Sequence, residues 1–140
     1  MITAMDISTS ALVAQRTRLN AIASNMANMS TTRNEDGEVE PYQARFVVFQ
    51  EDKNLKMASG ATGVKVASVE TETVEPNYKY QPGHPMAIQD GPHKGYVAYP
   101  NVNMTREFVD ALEASRAYEA NITMMETTKA MLTSSMRLLA

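Results

Sequence analysis

The sequence predicts an α+β fold: two long terminal helices, paired like a coiled coil or built into a bundle, around a small β-rich centre. Three observations carry this reading. Apolar residues recur at every seventh position near both ends of the chain. All six glycines and all six prolines fall between residues 34 and 100, which breaks continuous helix there. Within that interval, short apolar runs are separated by turn residues. The expected organisation is an N-terminal helical segment over 1–33, a middle region over 34–100 and a C-terminal helical segment over 101–140.

In the first segment Met5, Leu12, Leu19 and Met26 are spaced by seven residues, and Ile22 and Met29 form a companion row. This spacing predicts an amphipathic helix with a narrow seam, interrupted by Ser8 and Gln15. The helix closes on Ser24-Asn25-Met26-Ala27-Asn28. Asparagine is a poor helix former that bonds backbone groups at caps and turns. Asn25 and Asn28 are therefore expected either to end the helix or to bridge to a neighbouring chain.

In the middle region Tyr42–Phe49, Val64–Val74 and Gly95–Tyr99 read as strands. Asn34–Gly37 reads as a polar turn and Asn54–Gly63 as a loop. Pro82-Gly83-His84-Pro85 must turn, because two prolines remove the donors that a ladder needs.

The last segment carries the strongest periodicity. Met104, Ala111, Tyr118, Met125, Leu132 and Leu139 fall at intervals of seven, and Phe108, Ser115, Ile122, Lys129 and Met136 follow four positions after them. A sustained heptad seam of this kind predicts one helix to the end of the chain, about 57 Å long at about 1.5 Å per residue. Asn103 or Asn101 would cap it, Pro100 would stop the preceding strand, and Glu126 and Lys129 would pair on its outer face. Burying so narrow a seam returns less free energy than ordering the backbone of so long a helix costs. The terminal helices are therefore expected to order fully only against a partner. A helical hairpin closed within one chain and insertion between subunits both satisfy the periodicity.

Composition removes several function classes. The net charge is −3 and no lysine or arginine run occurs, which speaks against nucleic acid and anionic membrane surfaces as partners. With no cysteine, disulfides and thiolate metal sites are excluded. No stretch approaches the roughly 20 apolar residues of a membrane span, so direct membrane insertion is not expected. The N-terminus lacks a basic region followed by an apolar core, so no cleaved secretion signal is expected. Eleven methionines suit adaptable contact surfaces as well as core gaps. A metal site would need His84, His93 and a carboxylate such as Asp90, in a spacing that matches no ligand pattern. Glu70, Glu72 and Glu75 read as a solvated strand face rather than an acid/base pair. No phosphate-binding glycine loop or nucleophile elbow is present. The chain is expected to be neither an enzyme nor a cofactor protein.

Two motifs carry a family resemblance. Ala21-Ile22-Ala23-Ser24-Asn25-Met26-Ala27-Asn28, followed by Thr31-Thr32-Arg33, resembles the N-terminal signature of flagellar axial proteins, the rod and hook family. Ala114-Ser115-Arg116-Ala117-Tyr118-Glu119-Ala120-Asn121 resembles that family's C-terminal motif. In the middle, Pro41-Tyr42, Val47-Val48-Phe49, Pro82-Gly83-His84-Pro85 and Gly95 to Asn103 are similar to blocks that mark its proximal-rod members. Met29-Ser30 departs from the signature, and the 86–94 link is longer than the family's usual one.

The resemblance implies a structural subunit of the basal-body rod, exported through the flagellar type III apparatus and located in the periplasm. Its partners would be other rod subunits, copies of itself and the surrounding ring. It implies inter-subunit packing by Leu12, Leu19, Ile22, Met26, Tyr118, Ile122, Met125 and Leu132, with polar contacts from Asn25, Asn28, Arg116 and Asn121. The competing reading is a soluble helical adaptor acting outside any flagellum.

Overall fold

The structure is a computed structural model that describes residues 2–34, 37–57 and 60–139. Glu35 and Asp36 of the expected turn, and the Leu139 side chain of the expected seam, lie outside the described residues. The elements run α1 (Ile2–Ala27), β1 (Arg45–Lys56), β2 (Thr62–Thr71), β3 (Asn77–Tyr80), β4 (Tyr96–Tyr99) and α2 (Met104–Leu139). The fold is α+β, with two long terminal helices flanking two small antiparallel sheets.

Asn28 stops α1. Its side-chain amide and its backbone N–H both donate to the Ser24 carbonyl, at 2.9 and 3.1 Å, and Thr31 Oγ1 donates to its Oδ1 at 3.1 Å. Two stripes of α1 are used. Met5 and Leu12 face α2, whereas Ser10, Ala14, Ala21 and Asn25 share a stripe whose two ends touch the β1–β2 hairpin. Ser10 Oγ accepts from the Val64 N–H at 3.1 Å, and Ala14 and Ala21 are buried. A helix clasped on both sides shows little amphipathicity, which is why only its α2-facing row stood out as a seam.

α2 starts on a side-chain cap. Asn103 Oδ1 accepts from the N–H groups of Thr105 and Arg106 at 3.0 and 3.2 Å, two of the donors that a helix start leaves without a partner. Asn101, the other candidate, instead donates to the Glu75 carbonyl at 3.3 Å. The helices run antiparallel: Asn25 meets Glu107, Arg18 meets Asp110 and Glu113, and Thr9 meets Met125.

The α2 seam differs from the expected one. Of the expected row, Ala111, Tyr118, Met125 and Leu132 are half-buried and Met104 is exposed, and the companion row lies three residues after Met104, Ala111, Tyr118 and Met125, at Glu107, Ala114, Asn121 and Thr128. The row four residues on is mostly outward: Phe108, Ile122, Lys129 and Met136 are exposed, and only Ser115 is half-buried. Rows at +3 and +4 flank the first row on opposite sides of a helix, and hydrophobicity alone favoured the wrong side. The small Ala114, fully buried, suits close approach of the helix pair better than Phe108 would. Glu126 and Lys129 form no ion pair; those among the described residues join Arg18 to Asp110 and Glu113, and Arg106 to Glu72.

β1 and β2 form one long hairpin with Arg45 opposite Thr71, Val47 opposite Val69 and Asp52 opposite Gly63, and its ladder is irregular after Val48 and Asp52. The expected loop at 54–63 is therefore half strand, since β1 runs to Lys56 and β2 begins at Thr62, while its Ala58 and Ser59 lie outside the described residues. Gly63 makes this closure possible. A Cβ there would sit 2.9 Å from Leu55 Cβ and 3.1 Å from Ser10 Oγ, so the missing side chain lets the hairpin close on itself and on α1. β1 also begins at Arg45 rather than Tyr42, and β2 ends at Thr71 rather than Val74.

The strand β3 was not expected, because Asn77-Tyr78-Lys79-Tyr80 is exposed throughout and offers no apolar alternation. It pairs with β4, Tyr80 opposite Tyr96, and encloses the long 81–95 segment. Within that segment Pro82–Met86 turns, and Gly95 and Tyr96 pin it by bonding Ile88 on both backbone sides. His93 stacks on Tyr78 with ring centroids 4.1 Å apart and planes 5° from parallel. The 86–94 segment thus folds back onto β3 through His93.

Candidate subunit interface

The expected interface residues fall into three groups. Ile22 and Asn25 are buried within the chain; Leu12, Leu19, Met26, Asn28, Tyr118, Asn121, Met125 and Leu132 are half-buried; Arg116 and Ile122 are exposed. The structure brings Leu12, Ile122 and Met125 together, lining one apolar groove with Met5 and the stems of Glu126 and Lys129. Asn121 donates to the Ala117 carbonyl of its own helix at 2.7 Å, and Asn28 is occupied by the end of α1.

Asn25 is fully engaged. Its Nδ2 donates to the Arg45 carbonyl at 2.8 Å and to Glu107 Oε2 at 3.2 Å. Its Oδ1 accepts from the Arg45 N–H at 2.8 Å and from the Tyr42 hydroxyl at 3.0 Å. A side-chain amide has two donors and two acceptor positions, so all four are used inside the chain and none is left for a neighbour.

Among the residues that α2 leaves exposed are several large apolar ones. Ile122 and Met136 lie along one side of its seam, and Met124, Met131 and Leu138, spaced by seven, lie along the other. Met131 is 62% exposed and Leu138 is 88% exposed. The sequence carried a signal for this second row: each of its members directly precedes a member of the Met125, Leu132, Leu139 row. Glu107 and Ala114 gave no such signal, because a buried carboxylate and a small residue read as surface and filler. Among the described residues no three His, Asp or Glu side chains converge on a point. His84 sits in its turn with Nδ1 accepting the Met86 N–H at 3.1 Å.

Comparison with known proteins agrees with this architecture of two helical ends. A family model for the flagella basal body rod protein matches residues 5–33, and one for the flagellar basal body rod FlgEFG protein C-terminal matches residues 93–138. The flagellar basal-body rod protein FlgC of Salmonella typhimurium is 44% identical, covering 95% of this chain and 93% of its own. That of Borreliella burgdorferi is 37% identical over 99% and 97%, and that of Bacillus subtilis 38% over 91% of both. The chain belongs to the FlgC family. The two family models fall on α1 with its closing turn and on β4 and α2 with the turn before them. The FlgC relatives span both ends and the middle, so β1 to β4 belong to the shared chain rather than to an insertion.

Proposed function

We propose that this FlgC-family chain is a structural, non-enzymatic subunit of the flagellar basal-body rod that assembles with other rod subunits through the outer faces of its terminal helices. The observation that carries this is the outer half of α2. Past Tyr118 it has no buried residue among the described side chains, yet it presents Ile122, Met124, Met131, Met136 and Leu138 to solvent on both sides of a half-buried seam. One partner helix, α1, covers one seam; apolar flanks on both sides fit a helix that sits among several others. Methionine supplies three of these five positions, and its flexible side chain adapts to non-identical neighbours.

The subunit takes its place in the proximal rod, in the periplasm; it arrives through the flagellar type III apparatus without cleavage of a signal; and the middle region faces outward toward neighbouring rod subunits or the ring. In organisational terms, 1–33 and 101–140 serve assembly and 34–100 serves as an outer spacer.

The decisive experiment replaces Met131 by Lys in the native gene of a flagellated host. The expected result is a chain that is produced and exported but missing from purified basal bodies, with swimming lost. Normal incorporation and swimming would remove the outer face of α2 from the interface.

A further inference from the structure

The Asn25 amide lies at the meeting point of three elements that are distant in sequence: the last turn of α1, the first residue of β1 and the first turn of α2. Asn25 is 2% exposed and Glu107 is 5% exposed. Arg45 is paired with Thr71 on one side, and its own N–H and C=O point to the other, where the Asn25 amide meets both. The side chain thus stands in for one peptide unit of a third strand at the root of the hairpin. Beside this bond, Ala44 O accepts from the Glu72 N–H at 2.7 Å and closes the hairpin root. On the Tyr42 side, the Ser24 hydroxyl lies 3.2 Å from the Tyr42 hydroxyl, which in turn donates to Asn25.

We infer that Asn25 and Glu107 are a positioning pair: the Glu107 carboxylate orients the Asn25 amide, and the amide fixes Arg45 and hence the angle at which the hairpin leaves the helix pair. The carboxylate reaches this amide only when α2 is docked antiparallel on α1. Docking of the terminal helices therefore sets the geometry of the outer region of the same subunit. The pair acts within one chain, and its test is made on the isolated protein, so it stands or falls separately from the rod assignment.

The test uses the full-length chain and hydrogen-exchange protection at Arg45 and Glu72, measured relative to the unfolded chain at each pH. Asn25→Ala should lower protection at both amides about tenfold, the loss expected when hydrogen bonds of this kind go unmade. Asn25→Asp sets a second carboxylate against Glu107, with Asp110 and Glu72 adding negative charge nearby and Arg18, Arg45 and Arg106 offsetting it. It should lose protection at pH 7 and regain a substantial part near pH 4, where one proton shared between the two carboxyl groups restores a donor. The double variant Asn25→Asp with Glu107→Gln supplies that donor from position 107 and should regain protection at pH 7. The proposal is overturned by wild-type protection in Asn25→Asp at pH 7, or by a loss that neither acid nor Glu107→Gln relieves. Either would mean that residue 25 only fills space.

Discussion

At the scale of single residues, the structure separates positions that look alike in the sequence. Asn25 and Asn28 stand three apart in one motif, yet one binds a strand and a second helix while the other closes its own helix. Asn101 and Asn103 divide in the same way, and only Asn103 caps α2. Replacing Asn103 by Ala should cost about 1 kcal/mol, read as a lower urea midpoint in the full chain with an unchanged slope. The glycines give a sharper contrast. Gly63→Ala would place its methyl against Leu55 and Ser10 and should destabilise the hairpin by about 1–3 kcal/mol, whereas Gly83→Ala meets nothing within 4 Å and should stay within about 0.5 kcal/mol of the parent. Equal effects at the two positions would mean that the close approach at Gly63 is not a constraint.

At the scale of elements, α2 is divided along its length. Its first part holds the buried Glu107 and Ala114 against α1, and the described side chains of its second part are half-buried or exposed. Ala114→Leu should therefore disrupt the helix pair by overpacking, at a cost of about 1–3 kcal/mol to the isolated chain. Met131→Lys should leave the stability of the isolated chain within about 0.5 kcal/mol of the parent, because the side chain is mostly exposed there, while still abolishing assembly. Thermal melts of the two variants side by side distinguish packing inside the subunit from packing between subunits. The heptad pattern itself could not make that distinction. It located the Met125 and Leu132 row, but paired it with bulky Phe108 and Ile122 instead of with Ala114 and Asn121. A seam lined by small residues leaves no hydrophobic trace.

At the scale of the whole molecule, burial is concentrated in the inner part of the helix pair, at the root of the β1–β2 hairpin and in β4. Ala14, Ala21, Ile22 and Asn25 of α1, Glu107 and Ala114 of α2, Ala44 just before β1, and Val97 and Ala98 of β4 are buried. Hydrogen exchange of the isolated subunit should follow this gradient: slowest near residues 18–26, 44–48 and 104–114, and fastest along 128–138. Protection depends on local buried contacts and bonded backbone, and both decline outward along α2. Uniform protection along α2 would show that the helix is stable without neighbours. The three ion pairs of the described residues join partly exposed side chains, so raising the salt concentration should shift stability by well under 1 kcal/mol per pair.

The sequence by itself determined the two long helices, the α+β class, the turn at Pro82–Pro85 and the family, because heptad spacing, glycine and proline placement and two terminal motifs are local features of the chain. Only the tertiary structure decided which side of α2 is covered, how far the hairpin extends, that Asn77–Tyr80 is a strand and that Asn25 turns inward. The physical reason is common to all four. Each depends on groups brought together from distant parts of the chain: Leu55 and Ser10 at Gly63, Tyr96 against Tyr80, Glu107 and Arg45 around one amide. Periodicity reports which residues could share a face, and packing selects the face that is used.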